Sequence, residues 1–96
     1  MRPQVKQLIA LGIMPSEVAA DASVVEKYQN ILRSLSAPLT DEEACALINI
    51  FGDDDCFGLS WTLVHLIESS PSWPIAACLT RSDNEWIELL RSRASP

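Results

Sequence analysis

Three times in this chain a Ser or Thr is followed, three residues later, by Glu: Ser23-Val-Val-Glu26, Thr40-Asp-Glu-Glu43 and Ser82-Asp-Asn-Glu85. Each is a capping box, in which the hydroxyl and the carboxylate each satisfy a backbone N–H that the first helical turn leaves without a partner. Three helix starts within 96 residues leave little room for anything but helices and short connections. Apolar spacing agrees. Val25, Tyr28, Leu32 and Leu35 follow the first box. Ala44, Leu47, Ile48 and Phe51 follow the second at i, i+3, i+4 and i+7. Trp86, Leu89, Leu90 and Arg93 follow the third. Upstream, Val5, Leu8 and Ile9 share a face that ends at Gly12.

The stops are equally legible. Ser36-Ala37-Pro38 ends the second helix, because proline disfavours helix in the residue before it. Gly52 closes the next, and Asp53, Asp54 and Asp55 cap the one after, which runs to about Ser69. Pro74 in a first turn starts a short helix. The expectation is an all-α fold: six short helices near 3–12, 23–35, 41–51, 55–69, 73–80 and 83–93. They pair as antiparallel hairpins in a compact stack, and residues 1–96 form one domain. Residues 13–22 read as a loop or one helical turn. No two-residue hairpin signal or alternating strand stands out.

The helix beginning near Asp55 is the richest. On a wheel, Phe57, Trp61, His65 and Glu68 line one face, and Leu59, Leu63 and Leu66 the opposite one. A helix apolar on both faces is expected at the centre of the domain. Trp61, His65, Glu68 and Trp86 are accordingly expected in the core, with Trp61→Ala costing about 3–5 kcal/mol. His65 and Glu68 stand three apart, but there is no second His and no matching Glu–His pair for a metal centre. Their expected role is to satisfy buried polar atoms. The DDDCFGLSWTLV stretch does not space its acids as a calcium loop does.

No glycine-rich phosphate loop, nucleophile elbow or zinc-protease motif is present. No enzyme activity, cofactor or metal is expected. No apolar run reaches the roughly 20 residues that span a bilayer. The N-terminal residues read as mature protein. Cys45, Cys56 and Cys78 form no CxxC pair and sit in apolar patterns. They are expected to be buried free thiols in a reducing compartment, hence cytoplasmic.

Net charge is −6, unevenly spread. Residues 37–80 contain seven acids and no Lys or Arg. Such a belt repels nucleic acid and steers a basic protein partner. Asp41, Glu42, Glu43, Asp53, Asp54 and Asp55 are the expected contacts, with Trp73 as an aromatic anchor.

The stretch GDDDCFGLSWTLVHLIESSPSWP, followed by NEWIELLRSRAS, resembles a family of small helical immunity proteins of bacterial polymorphic-toxin systems. The matching positions are Trp61, Leu63, His65 and Glu68, then Glu85, Trp86, Leu89, Leu90 and Arg91, within roughly residues 38–94. The resemblance implies a HEAT-like helical stack and a cytoplasmic protein that binds and neutralises a cognate toxin. It also implies that the shared Trp, His and Glu are structural. A basic, nuclease-type toxin would suit the acidic belt. The alternative is a helical scaffold that self-associates as a homodimer. A small metal protein using His65, Glu68 and a cysteine is a third reading.

Overall fold

The computed structural model describes residues 1–80 and 84–94. Among them are five α-helices and no strand: α1 (Pro3–Leu11), α2 (Ala22–Ser34), α3 (Asp41–Leu47), α4 (Leu59–Glu68) and α5 (Glu85–Ala94). Two 3-10 turns, Ile48–Ile50 and Ala76–Cys78, complete the regular structure. α1 packs on α2 and α3, and α4 packs on α2, α3 and α5. One core unites them. Val5, Leu8, Tyr28, Leu32, Leu47, Leu63, Ile67 and Leu90 are all at most 2% exposed.

The caps explain the boundaries. Thr40 forms the box read from sequence: its Oγ1 accepts the Glu43 N–H (3.1 Å) and Glu43 Oε1 accepts the Thr40 N–H (2.9 Å). The Ser23 box does not form. Asp21 caps α2 instead, with Oδ1 accepting both the N–H and the hydroxyl of Ser23. A carboxylate two residues upstream displaces the hydroxyl as acceptor. The box at Ser82 falls partly outside the described residues. α5 begins at Glu85, with Asn84 Oδ1 accepting the N–H groups of Trp86 and Ile87. Gly12 ends α1 in a positive-φ conformation. Gly52 is required for another reason: a Cβ there would lie 2.2 Å from the Met14 carbonyl oxygen.

Two expected helices are corrected. α4 starts at Leu59, because residues 53–58 form turns and Cys56, Phe57 and Gly58 all have positive φ. The segment 73–80 holds no α-helix. It is too short to offset helix nucleation, and its end is tied elsewhere. Cys78 is bonded to Cys45, and the Leu79 carbonyl accepts Arg91 Nε and Nη2.

The disulfide also corrects the cysteine reading. Cys45 and Cys78 are 33 residues apart and fall side by side where α3 meets the 76–78 turn. Sequence spacing gave no sign of that pairing. Only Cys56 stays a free, buried thiol, its pKa raised mainly by burial.

Candidate partner-binding surface

α4 has the two faces read from sequence, but only one is core. Leu59, Leu63, Val64, Leu66 and Ile67 are buried. Phe57 is 61% exposed, Trp61 40% exposed, and His65 is exposed. The expectation that Trp61 and His65 are core residues is therefore corrected: neighbouring helices cover α4 on its leucine side, and the aromatic side is left at the surface. The Trp61 and His65 rings lie 6.3 Å apart in a tilted pair. Glu68, half-buried, accepts Arg93 Nε and Nη2 at 2.6 and 2.8 Å and so ties α4 to α5. Trp86 is 9% exposed and belongs to the core, stacked on Phe51 with centroids 6.1 Å apart.

The acids predicted as one belt divide into two groups. Asp41, Glu42 and Glu43 open α3; Asp53, Asp54 and Asp55 lie beyond the 3-10 turn at its far end. A helix rise of 1.5 Å per residue separates the groups by roughly 15 Å.

In the first group Glu43 is corrected outright. It is 0% exposed. Besides the Thr40 N–H it accepts the Arg2 N–H, Arg2 Nε and Arg2 Nη2, each at 3.0 Å. The Arg2 guanidinium holds its carboxyl at about 2, well below the usual carboxylate range. A side chain so enclosed fastens the N-terminal strand of chain to α3 and has no face to offer a partner. Asp41 is half-buried and accepts the Ser72 N–H at 3.0 Å; the Ser72 side chain first, and then this N–H, lower its pKa. Glu42 is exposed.

The second group is built around Asp54. Its Oδ1 accepts the Cys56 N–H and its Oδ2 the Glu17 N–H. Its carbonyl accepts the Ser60 hydroxyl and Trp86 Nε1–H, both at 3.0 Å. Glu17 Oε1 in turn accepts the Phe57 N–H. This lattice holds Phe57 in its left-handed conformation with the ring outward. Asp53 is exposed, and Asp55 is half-buried with a buried Oδ1 that has no hydrogen-bond partner among the described residues.

Asp53, Asp54 and Asp55 line a cleft of about 400 Å³ together with Trp61, Glu85, Trp86 and Leu89. Trp61 and Trp86 meet edge to face, 5.4 Å apart. No Lys or Arg lines it among the described residues. Trp73, the expected anchor, is half-buried against the core and does not join the cleft.

Sequence reasoning missed Phe57, Glu17 and Glu85 as parts of this surface. The one available signal was Gly58 directly after Phe57, a residue suited to the turn that throws the ring outward. Among the described residues no cluster of three or more His, Cys, Asp or Glu is placed to hold a metal ion. No described helix is long and apolar enough to cross a membrane. No family model, curated protein or solved structure matches the chain.

Proposed function

We propose that this chain is a non-catalytic binding protein that inhibits a basic protein partner by covering its surface. The observation that carries this reading is the acidic loop 53–55 set beside two outward aromatic side chains, Phe57 and Trp61. Exposed aromatic rings supply contact area, and unneutralised carboxylates around them supply steering. That combination suits protein recognition and disfavours nucleic acid, whose phosphates the acids would repel.

The specific partner is read from the resemblance of residues 38–94: a cognate toxin of a polymorphic-toxin system, for which this chain is the immunity protein. The packing of α1 on α3 and of α2 on α4 supports a HEAT-like stack, since corresponding helices of successive hairpins lie together in such stacks. Cytoplasmic placement rests on the resemblance alone. The Cys45–Cys78 bond points instead to an oxidising compartment.

The test is calorimetry of the purified protein with the toxin domain encoded immediately upstream of its gene, at two salt concentrations. Tight binding that weakens with salt is expected. Absence of binding would remove the toxin reading. The scaffold alternative draws on a different feature, the exposed Ile9 (43%), Ile13 (65%) and Val18 (98%). A stable dimer in sedimentation that Ile13→Asp or Val18→Asp dissociates would favour it.

A further inference from the structure

The cleft between the acidic loop and the two tryptophans has a chemistry more specific than general negative charge. We propose that it is a receptor for a single arginine side chain of the partner. This rests on the reading above that the partner is a basic protein, and it assigns the site and the chemical group.

Three observations converge. First, four acidic residues from two separate segments, Asp53, Asp54, Asp55 and Glu85, line one cleft, and no basic residue lines it among the described residues. Second, the Asp55 Oδ1 is a buried acceptor with no donor among the described residues. A buried carboxylate oxygen left unsatisfied is costly, and a donor supplied from outside removes that cost. Third, the aromatic wall is already in place. Trp86 is fixed by its N–H bond to the Asp54 carbonyl, and Trp61 packs perpendicular to it, 40% exposed.

Arginine fits this set better than lysine. Its planar guanidinium stacks on an indole face while its fork of N–H groups reaches carboxylates in two directions. It is also less strongly hydrated, so entering a half-buried cleft costs it less. A Lys ammonium is a compact charge that any acidic surface attracts, with no use for the aromatic wall.

The test needs no knowledge of the partner. N-acetyl-arginine amide is titrated into the isotopically labelled protein at low salt, with N-acetyl-citrulline amide as the neutral isostere and N-acetyl-lysine amide as the second cation. The indole N–H signals of Trp61 and Trp86 report on the cleft, and Trp73, outside it, is the internal control. The expected result is saturable shifts of Trp61 and Trp86 with arginine, at a dissociation constant on the order of 1–10 mM. Trp73 stays still, citrulline gives no saturable shift, and lysine binds several-fold more weakly.

Trp61→Leu, at an exposed position, keeps the fold and weakens arginine binding roughly two- to fivefold through loss of the cation–π contact. Asp55→Asn weakens it further, with a thermal melt confirming that the protein stays folded. Equal shifts from citrulline, equal affinity for lysine, or no saturation at all would overturn the assignment. The two proposals fail separately. Calorimetric binding of the toxin domain without any arginine response removes only the cleft, and an arginine response without toxin binding removes only the toxin.

Discussion

Glu43 takes four hydrogen bonds while 0% exposed, and its neighbours Asp41 and Glu42 take far fewer. Three consecutive acids thus have three different jobs, which a charge count cannot separate. Because Arg2 depresses the Glu43 carboxyl to about 2, its stabilising contribution is complete above the ordinary carboxyl range and drains away as pH falls toward that value. Glu43→Gln should therefore destabilise the protein by about 1–3 kcal/mol at neutral pH. It should also flatten the fall in stability between about pH 4.5 and 2, read from urea titrations across that range. A similar distinction holds for the tryptophans. With Trp61 40% exposed and Trp86 9% exposed, Trp61→Ala should cost only about 1–2 kcal/mol against about 3–5 kcal/mol for Trp86→Ala. Equal losses in thermal melts would mean that the outer face of α4 is covered after all.

At the scale of elements, most of the helical layout was legible because it is written locally. The Thr40 box and the Gly12 stop depend only on residues within a few positions of each other, and both form as read. The 41–51 stripe buries Ala44, Leu47, Ile48 and Phe51 as its spacing requires. What was illegible depends on partners distant in sequence. A wheel separates the faces of α4 but not which one its neighbours cover. The Asp53–Gly58 turns are held by Glu17, some 40 residues away, in the bond to Phe57. The 76–78 turn is fixed by Cys45 and Arg91. Gly52 illustrates the same limit. It reads as a helix stop, yet its necessity comes from the Met14 carbonyl, with which a Cβ would clash at 2.2 Å. Gly52→Ala should push the 13–15 segment off the core and cost about 2–3 kcal/mol. A urea midpoint unchanged from wild type would show that the close approach is not required.

At the scale of the molecule, two long-range ties carry much of the arrangement: the Arg2–Glu43 cluster and the Cys45–Cys78 bond. A cross-link between residues 33 apart stabilises by about 3–4 kcal/mol through the reduced entropy of the unfolded chain. Reduction should lower the unfolding free energy by that amount, and thiol titration of the unfolded, unreduced protein should find the single free thiol of Cys56. Three titratable thiols in freshly isolated protein would return the cysteine reading to the reducing compartment first expected. The same fold divides the acids into carboxylates tied into the structure, those of Asp41, Glu43 and Asp54, and carboxylates left at the surface, those of Glu42, Asp53 and Glu85, and the proposed function rests on that division. It is tested most directly by the association rate with the proposed partner, the toxin domain encoded immediately upstream, at low and moderate salt, for the wild type and for the triple variant Glu42→Gln, Asp53→Asn, Glu85→Gln. All three side chains are exposed, so the variant should melt as the wild type does. The variant should associate roughly tenfold or more slowly at low salt, with a much shallower salt dependence; an unchanged rate and slope would contradict a role for the surface acids in binding.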